Sequence, residues 1–268
     1  MSGIAATKSI GKAILGQIPG GGFVSQKLHS LLTFSLVKTL SGGDLLAESM
    51  IPITERWLGE VEEISRGMKN QQVKQSEWQQ KMDEIFARVD LADLLRAIDF
   101  DRLSKRIKFL DNREAVKAIN LPKMTGATEK WAYTTSLRGL KRGQAVVPHC
   151  HRNLTSMHMP ISGKLHARHY DRVADEPKHL IIQPTLDRIL RLGEAATTSD
   201  DKDNVHWFKA MSDEVFAFNL RVISINPCLG FTGRQFYLDP DRGQKVKDDL
   251  IRVRQIGQKE AYKLYGQS

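Results

Sequence analysis

The stretch Gly143-Gln144-Ala145-Val146-Val147-Pro148-His149-Cys150-His151 decides how this chain is read. Gln144 to Val147 has strand character, and Pro148 is expected to end the run because it has no N–H to give a ladder. Along extended backbone, residues i and i+2 face the same way. His149 and His151 therefore present two imidazoles side by side. A second stretch, Asn204-Val205-His206-Trp207-Phe208, places His206 on a later strand as a third. Three neutral nitrogens leave an octahedral metal with open positions, as an oxygen-activating iron requires.

The histidines are unevenly spread: of the 8, His29 stands alone and the rest fall between 149 and 206. That concentration suggests chemical use for some of them. His158, His166 and His169 read as structural. Cys150 alternates away from its neighbours and reads as core packing. Arg234 reads as an ion-pair partner, and Asp171 as the cap of a turn.

Around this centre the chain has two characters. Residues up to about 120 read as helical, with apolar stripes at Trp57, Val61 and Ile64, then at Trp78, Met82, Ile85, Phe86 and Val89, continued by Leu94, Leu95, Ile98, Leu103, Ile107 and Leu110. Gly20-Gly21-Gly22 reads as a break. A helix is expected to start at Gly43-Asp44, with Pro52 ending or kinking it. Near Gly126 the pattern turns to short strands: Trp131 to Leu137, Leu165 to Tyr170, His179 to Gln183, Val215 to Ile225 and Arg234 to Leu238. Polar turns such as Ser162-Gly163 and Asn226-Pro227 separate them. Such a series indicates an all-β barrel or sandwich. Gln244 to Tyr265 reads as an amphipathic helix.

Composition narrows the class. Of 268 residues, 41% are hydrophobic, enough for a sizeable core. Two cysteines, Cys150 and Cys228, make neither a disulfide framework nor a structural zinc site, so a reducing compartment, the cytoplasm, is expected. No apolar run approaches the ~20 residues that cross a bilayer; Leu31 to Leu40 is interrupted by Ser35 and Lys38. The net charge is +9. The first 43 residues hold lysines and no acid, as an organellar transit peptide would, but they also hold no arginine. The basic region from Arg102 to Arg142 lacks nucleic-acid signatures and reads as a solvated helix face.

Gly143, five residues, His149-x-His151 and a later Gly163 resemble the first motif of the cupins. Where a cupin places its glutamate, this chain has Thr155 or Ser156, which leaves three histidines and no carboxylate. The stretch His149 to Asp171 is similar to the plant cysteine oxidase and cysteamine dioxygenase family through His149, His151, Thr155, Gly163, Leu165, His166, Tyr170 and Asp171. Asn204, His206, Phe208 and Ala210 match that family's second block, and Gly233, Arg234, Tyr237 and Pro240 its closing block.

The resemblance implies a double-stranded β-helix cupin barrel (121–243). With the helical N-terminal region (1–120), which has no counterpart in the family core, and the C-terminal helix (244–268), the chain is expected to be α+β. The resemblance also implies Fe(II) held by His149, His151 and His206, with dioxygen added to the sulfur of a small aminothiol or an N-terminal cysteine. Asn219 stands where the family carries an active-site Asp, and Tyr237 is a pocket hydroxyl; both are candidate catalytic residues. The family's Gly-Pro-Pro-Tyr loop is replaced by Ile225-Asn226-Pro227-Cys228, so the substrate transfers less well than the metal. Two alternatives stay open. One is a three-histidine dioxygenase with a non-thiol substrate. The other is a non-catalytic cupin that binds a metal or ligand, with the helical region facing a partner protein.

Overall fold

The computed structural model describes residues 53–121 and 130–266. The expectations for Gly20 to Gly22, His29, Leu31 to Leu40, Asp44, Pro52 and Gly126, and for a transit segment, lie outside the described residues.

Among the described residues four helices come first: α1 (Ile53–Lys69), α2 (Gln75–Phe86), α3 (Leu91–Ala97) and α4 (Phe100–Lys105). Their apolar stripes are buried: Trp57, Val61, Ile64, Trp78, Met82, Ile85, Phe86 and Leu94 all lie in one core. The two buried indoles of these helices each find an acceptor, Trp57 on the Ile85 carbonyl at 3.0 Å and Trp78 on Ser65 Oγ at 3.3 Å. Asp90 caps α3 by accepting from the Asp93 N–H at 3.0 Å.

The helical character expected up to about 120 ends at Lys105. Ala115–Ile119 is instead strand β1, paired antiparallel with β2 (Thr134–Lys141) from Ala115↔Gly139 to Ile119↔Thr135. Ala-Val-Lys-Ala-Ile suits a helix locally, and cross-strand pairing overrides that preference.

The rest is antiparallel β: β3 (Ala145–Arg152), β4 (Leu154–Ser162), β5 (Leu165–Glu176), β6 (His179–Leu190), β7 (Ala196–Thr198), β8 (Val205–Ala210), β9 (Glu214–Ile223), β10 (Gly233–Lys245) and β11 (Ile251–Ile256). One sheet has the order β1-β2-β9-β4-β7, and the other closes as β10-β11-β6-β5-β8-β3. The described chain is thus mostly antiparallel sheet with a few helices.

The helix expected over Gln244 to Tyr265 is corrected. Its first part is the end of β10 and all of β11, and only α5 (Gln258–Tyr265) is helical. Ile251, Val253 and Ile256 are β-branched, and Asp248 takes a left-handed φ of 51° in the turn before them. Val253 is fully buried on the sheet while Val246 is exposed, an outcome the helical spacing did not foresee.

Period two along three strands separates two faces of the five-stranded sheet. Leu137, Met157, Met159, Ile161, Phe216, Phe218, Leu220 and Val222 pack on the helices. Their sequence neighbours Leu140, Val215 and Ala217 pack against the closed sheet, with Val146, Leu165, Ala167 and Phe208. The turn from β4 to β5 needs Gly163, whose φ is +76° and whose missing Cβ would stand 2.7 Å from the Glu214 carbonyl oxygen.

Candidate metal centre

β3 does not end at Pro148. Val146 pairs with Phe208 and His149 pairs with His206, so Val147 and Pro148 together oppose Trp207. This is a β-bulge, a place where a proline with no N–H is tolerated inside a sheet. The extra residue also resets the alternation. Val146 faces the interior, and after the bulge His149 and His151 face it too. Cys150 packs on the opposite side, among Val147, Val205 and Leu238.

His206 stands directly across from His149. The ring centroids are 4.7 Å apart for His149 and His151, 4.4 Å for His149 and His206, and 4.8 Å for His151 and His206. One ligand nitrogen from each lies within 4.8 Å of the others. His149 Nδ1 is 2.7 Å from the Val147 carbonyl and His206 Nδ1 is 3.2 Å from the Asn204 carbonyl. A carbonyl only accepts, so each Nδ1 carries the proton and each Nε2 keeps a lone pair. His206 Nε2 is buried with no partner, and His149 Nε2 lies 2.9 Å from His151 Nε2. Two nitrogens bound at a right angle to one ion, ~2.1 Å away, stand ~3 Å apart. Burial, reinforced for His149 and His151 by nearby arginines, holds all three pKa values well below the ordinary imidazole value. They are neutral at pH 7, as ligands must be. The donor set fits a divalent cation.

The five-stranded sheet forms the opposite wall of a cavity of about 280 Å³ lined by the imidazoles of His149, His151 and His158 together with Ser156, Arg138, Arg221, Arg234 and Glu114. Glu114 takes Arg138 Nη1 at 3.2 Å, Arg234 Nη2 at 2.8 Å and the Tyr262 hydroxyl at 3.0 Å. Burial pushes the Glu114 pKa up, but the two arginines outweigh it and hold it below the carboxylate range. Burial brings Arg138 down to about 10, so it stays charged at neutral pH.

The structure thus brings His149, His151 and His206 together. Tyr237 pairs across from His149, its ring centroid 6.4 Å away, and Arg234 lies over its face at 5.9 Å. Asn219 is fully buried and its amide is fully occupied. It donates to the Met157 carbonyl at 2.8 Å and lies 3.2 Å from His158 Nε2, while its oxygen accepts from Arg138 at 3.3 Å. Arg234 is the ion-pair partner its sequence suggested, and Asp171 accepts from the Asp203 N–H at 2.7 Å. His166 pairs with Asp187, away from the centre.

Two readings are corrected. His158 sits mid-strand in β4 and lines the cavity. The alternation Thr155, Met157, Met159, Ile161 against Ser156, His158, Pro160 carried that signal. Arg138, within the region read as a solvated helix face, is buried on β2. Of Thr155 and Ser156, Ser156 faces the cavity and shares a 2.9 Å hydrogen bond with Thr198.

No family model matches the chain, and no curated protein matches it. Solved structures similar to it include procruciferin, the 11S globulin of Brassica napus. There the identity is 8% over 44% of this chain and 27% of that one, with a TM-score of 0.31. KdgF from Halomonas sp. is 13% identical over 46% of this chain and 90% of its own, at a TM-score of 0.31. An oxalate oxidase is 16% identical over 45% of this chain and 57% of its own, at 0.33. These are cupin-fold proteins. The chain spans under two thirds of the globulin and of the oxidase.

Proposed function

We propose that this chain is a metal-dependent dioxygenase of the three-histidine cupin type, with a double-stranded β-helix barrel, acting on a thiol. The observation that supports it is the convergence of three neutral imidazoles with no carboxylate among them. His149, His151 and His206 would hold Fe(II). The ion would supply Lewis acidity toward a thiol and electron transfer toward dioxygen. In the balanced reaction both atoms of dioxygen join one sulfur, the thiol becomes a sulfinic acid, and dioxygen accepts four electrons.

The chain's own residues set the conditions. The Val147 and Asn204 carbonyls fix the tautomers of His149 and His206. Asn219 acts as a positioning residue, tying Arg138 to His158 and the β4 backbone. An amide occupied in this way neither takes nor gives a proton. Tyr237 packs between His149 and Arg234 and holds the wall between them.

Elemental analysis of the purified chain tests the reading. About one iron per chain is expected, lost in His206→Ala, along with oxygen uptake on a thiol that the same variant abolishes. A wild-type chain that takes up no metal would overturn it. The occupied Asn219 amide favours one second reading, the same triad serving a non-thiol substrate; oxygen uptake on carbon substrates and not on thiols would select it.

A further inference from the structure

The cavity beside the triad carries more positive charge than it balances. Arg138, Arg221 and Arg234 line the cavity with one carboxylate, Glu114, which leaves an excess of two positive charges. Glu114 engages Arg138 and Arg234. Arg221, on β9, has no side-chain hydrogen bond or ion pair among the described residues, and its Nε is buried without a partner. Arg138 is 7% exposed, and its Nε is likewise unpartnered.

A guanidinium held out of water without a counter-charge is costly, and its fork of N–H donors matches a carboxylate. Arg138 on β2 and Arg221 on β9, with Arg234 on β10 beside His151, focus a positive potential into the cavity. We infer that the cavity is built for a small carboxylate: the substrate pairs its acid group with Arg221 and Arg138 while its reacting end points at His149 and His151, the two imidazoles of the triad that line it. The same field repels an ammonium group, which excludes an aminothiol or the free amine of an N-terminal cysteine. About 280 Å³ lies at the lower end of ligand pockets, ~300 Å³, and suits a molecule of a few heavy atoms rather than a peptide. Choosing the acid over the amine deepens the reading above and rests on it for the reaction, but not for the binding.

Titration calorimetry on the metal-free full chain tests the binding alone. The probes are 3-mercaptopropionate and 2-aminoethanethiol, matched in length and opposite in charge, with inorganic phosphate as a third. The acid is expected to bind at least about 10-fold more tightly than the amine, with an affinity that weakens as salt rises. Arg221→Gln is expected to cut the acid's affinity about 10-fold or more while leaving the melting temperature unchanged or higher, because no acid partner is lost. Equal binding of acid and amine, or an Arg221→Gln chain that binds the acid normally, would sink the inference. Phosphate binding more tightly than the carboxylate would overturn the choice of acid. A chain that binds the acid and never takes up iron would fail the proposed reaction and keep this site. One that holds iron without telling acid from amine would do the reverse.

Discussion

The two faces of the five-stranded sheet follow one periodicity and hold opposite chemistry. On β9, Phe216, Phe218, Leu220 and Val222 turn to the helices, and the alternate Asn219 and Arg221 turn to the triad side. β4 does the same with Met157 and Met159 against Ser156 and His158. The apolar face gains its stability from packing, while the polar face spends stability on groups held out of water in the charge state that chemistry needs. Stability and function are thus divided residue by residue along single strands, and each face should fail in its own way.

Acid should break the polar interior between the two sheets first, to which the polar face contributes His158 and the closed sheet the other buried histidines. His149, His151, His158, His169 and His206 are all buried, and burial holds each pKa low, that of His169 at about 3. The unfolded chain takes up these protons below about pH 6.5, and the folded chain refuses them. Full stability therefore holds above pH 6.5 and falls as the pH drops toward the folded values. A group that stays neutral in the fold while its unfolded counterpart is protonated contributes a slope of up to ~1.4 kcal/mol per pH unit. Urea unfolding of the metal-free chain at pH 7.5 and 5.5 reads this directly, and a flat profile would contradict neutral burial.

Phe218→Ala should break the apolar face with no effect of pH. Phe218 is fully buried against Phe86 at a centroid distance of 6.4 Å. Removing its ring should cost about 3–5 kcal/mol in urea midpoint at an unchanged slope. The same loss at pH 7.5 and 5.5 is expected. A loss that grows with acidity would mean that the two faces are not separate.

Glu114→Gln tests the balance within the polar face. It leaves Arg138 and Arg234 without their shared carboxylate and should cost about 3 kcal/mol, the penalty of a broken buried pair. The Glu114 pKa is held low, so this contribution is present above the ordinary glutamate range and lost only as the pH falls through its folded value. Between pH 7.5 and 5.5 the cost should therefore be constant, distinct from the histidine slope. The same variant should bind 3-mercaptopropionate more tightly, since one negative charge has left the cavity.

The sequence made the apolar face legible and part of the polar one. Trp57, Trp78 and Phe86 recur at helical spacing because a helix buries one stripe. The paired histidines stand out because few other uses require that spacing. What escaped needed a partner strand to be seen. Ala115 to Ile119 is a strand only because β2 lies beside it. Arg138 and Arg221 line one cavity because β2 and β9 are neighbours, although they lie far apart in the chain. The bulge at Val147 and Pro148 hid inside a proline that locally reads as a stop.

The smallest expected effect is the most discriminating. Ser156 and Met157 are neighbours on β4, both fully buried and on opposite faces. Ser156 shares a hydrogen bond with Thr198 at 2.9 Å. Ser156→Ala removes one neutral hydrogen bond and adds no large void, so about 1 kcal/mol should be lost. Ser156 faces the cavity that His149 and His151 also line. If the three histidines alone hold the metal, the alanine variant should bind iron with unchanged stoichiometry and affinity. A clear drop in iron retention, with stability lowered by only about that much, would make the Ser156 hydroxyl part of the centre and reduce the separation of the two faces to an approximation.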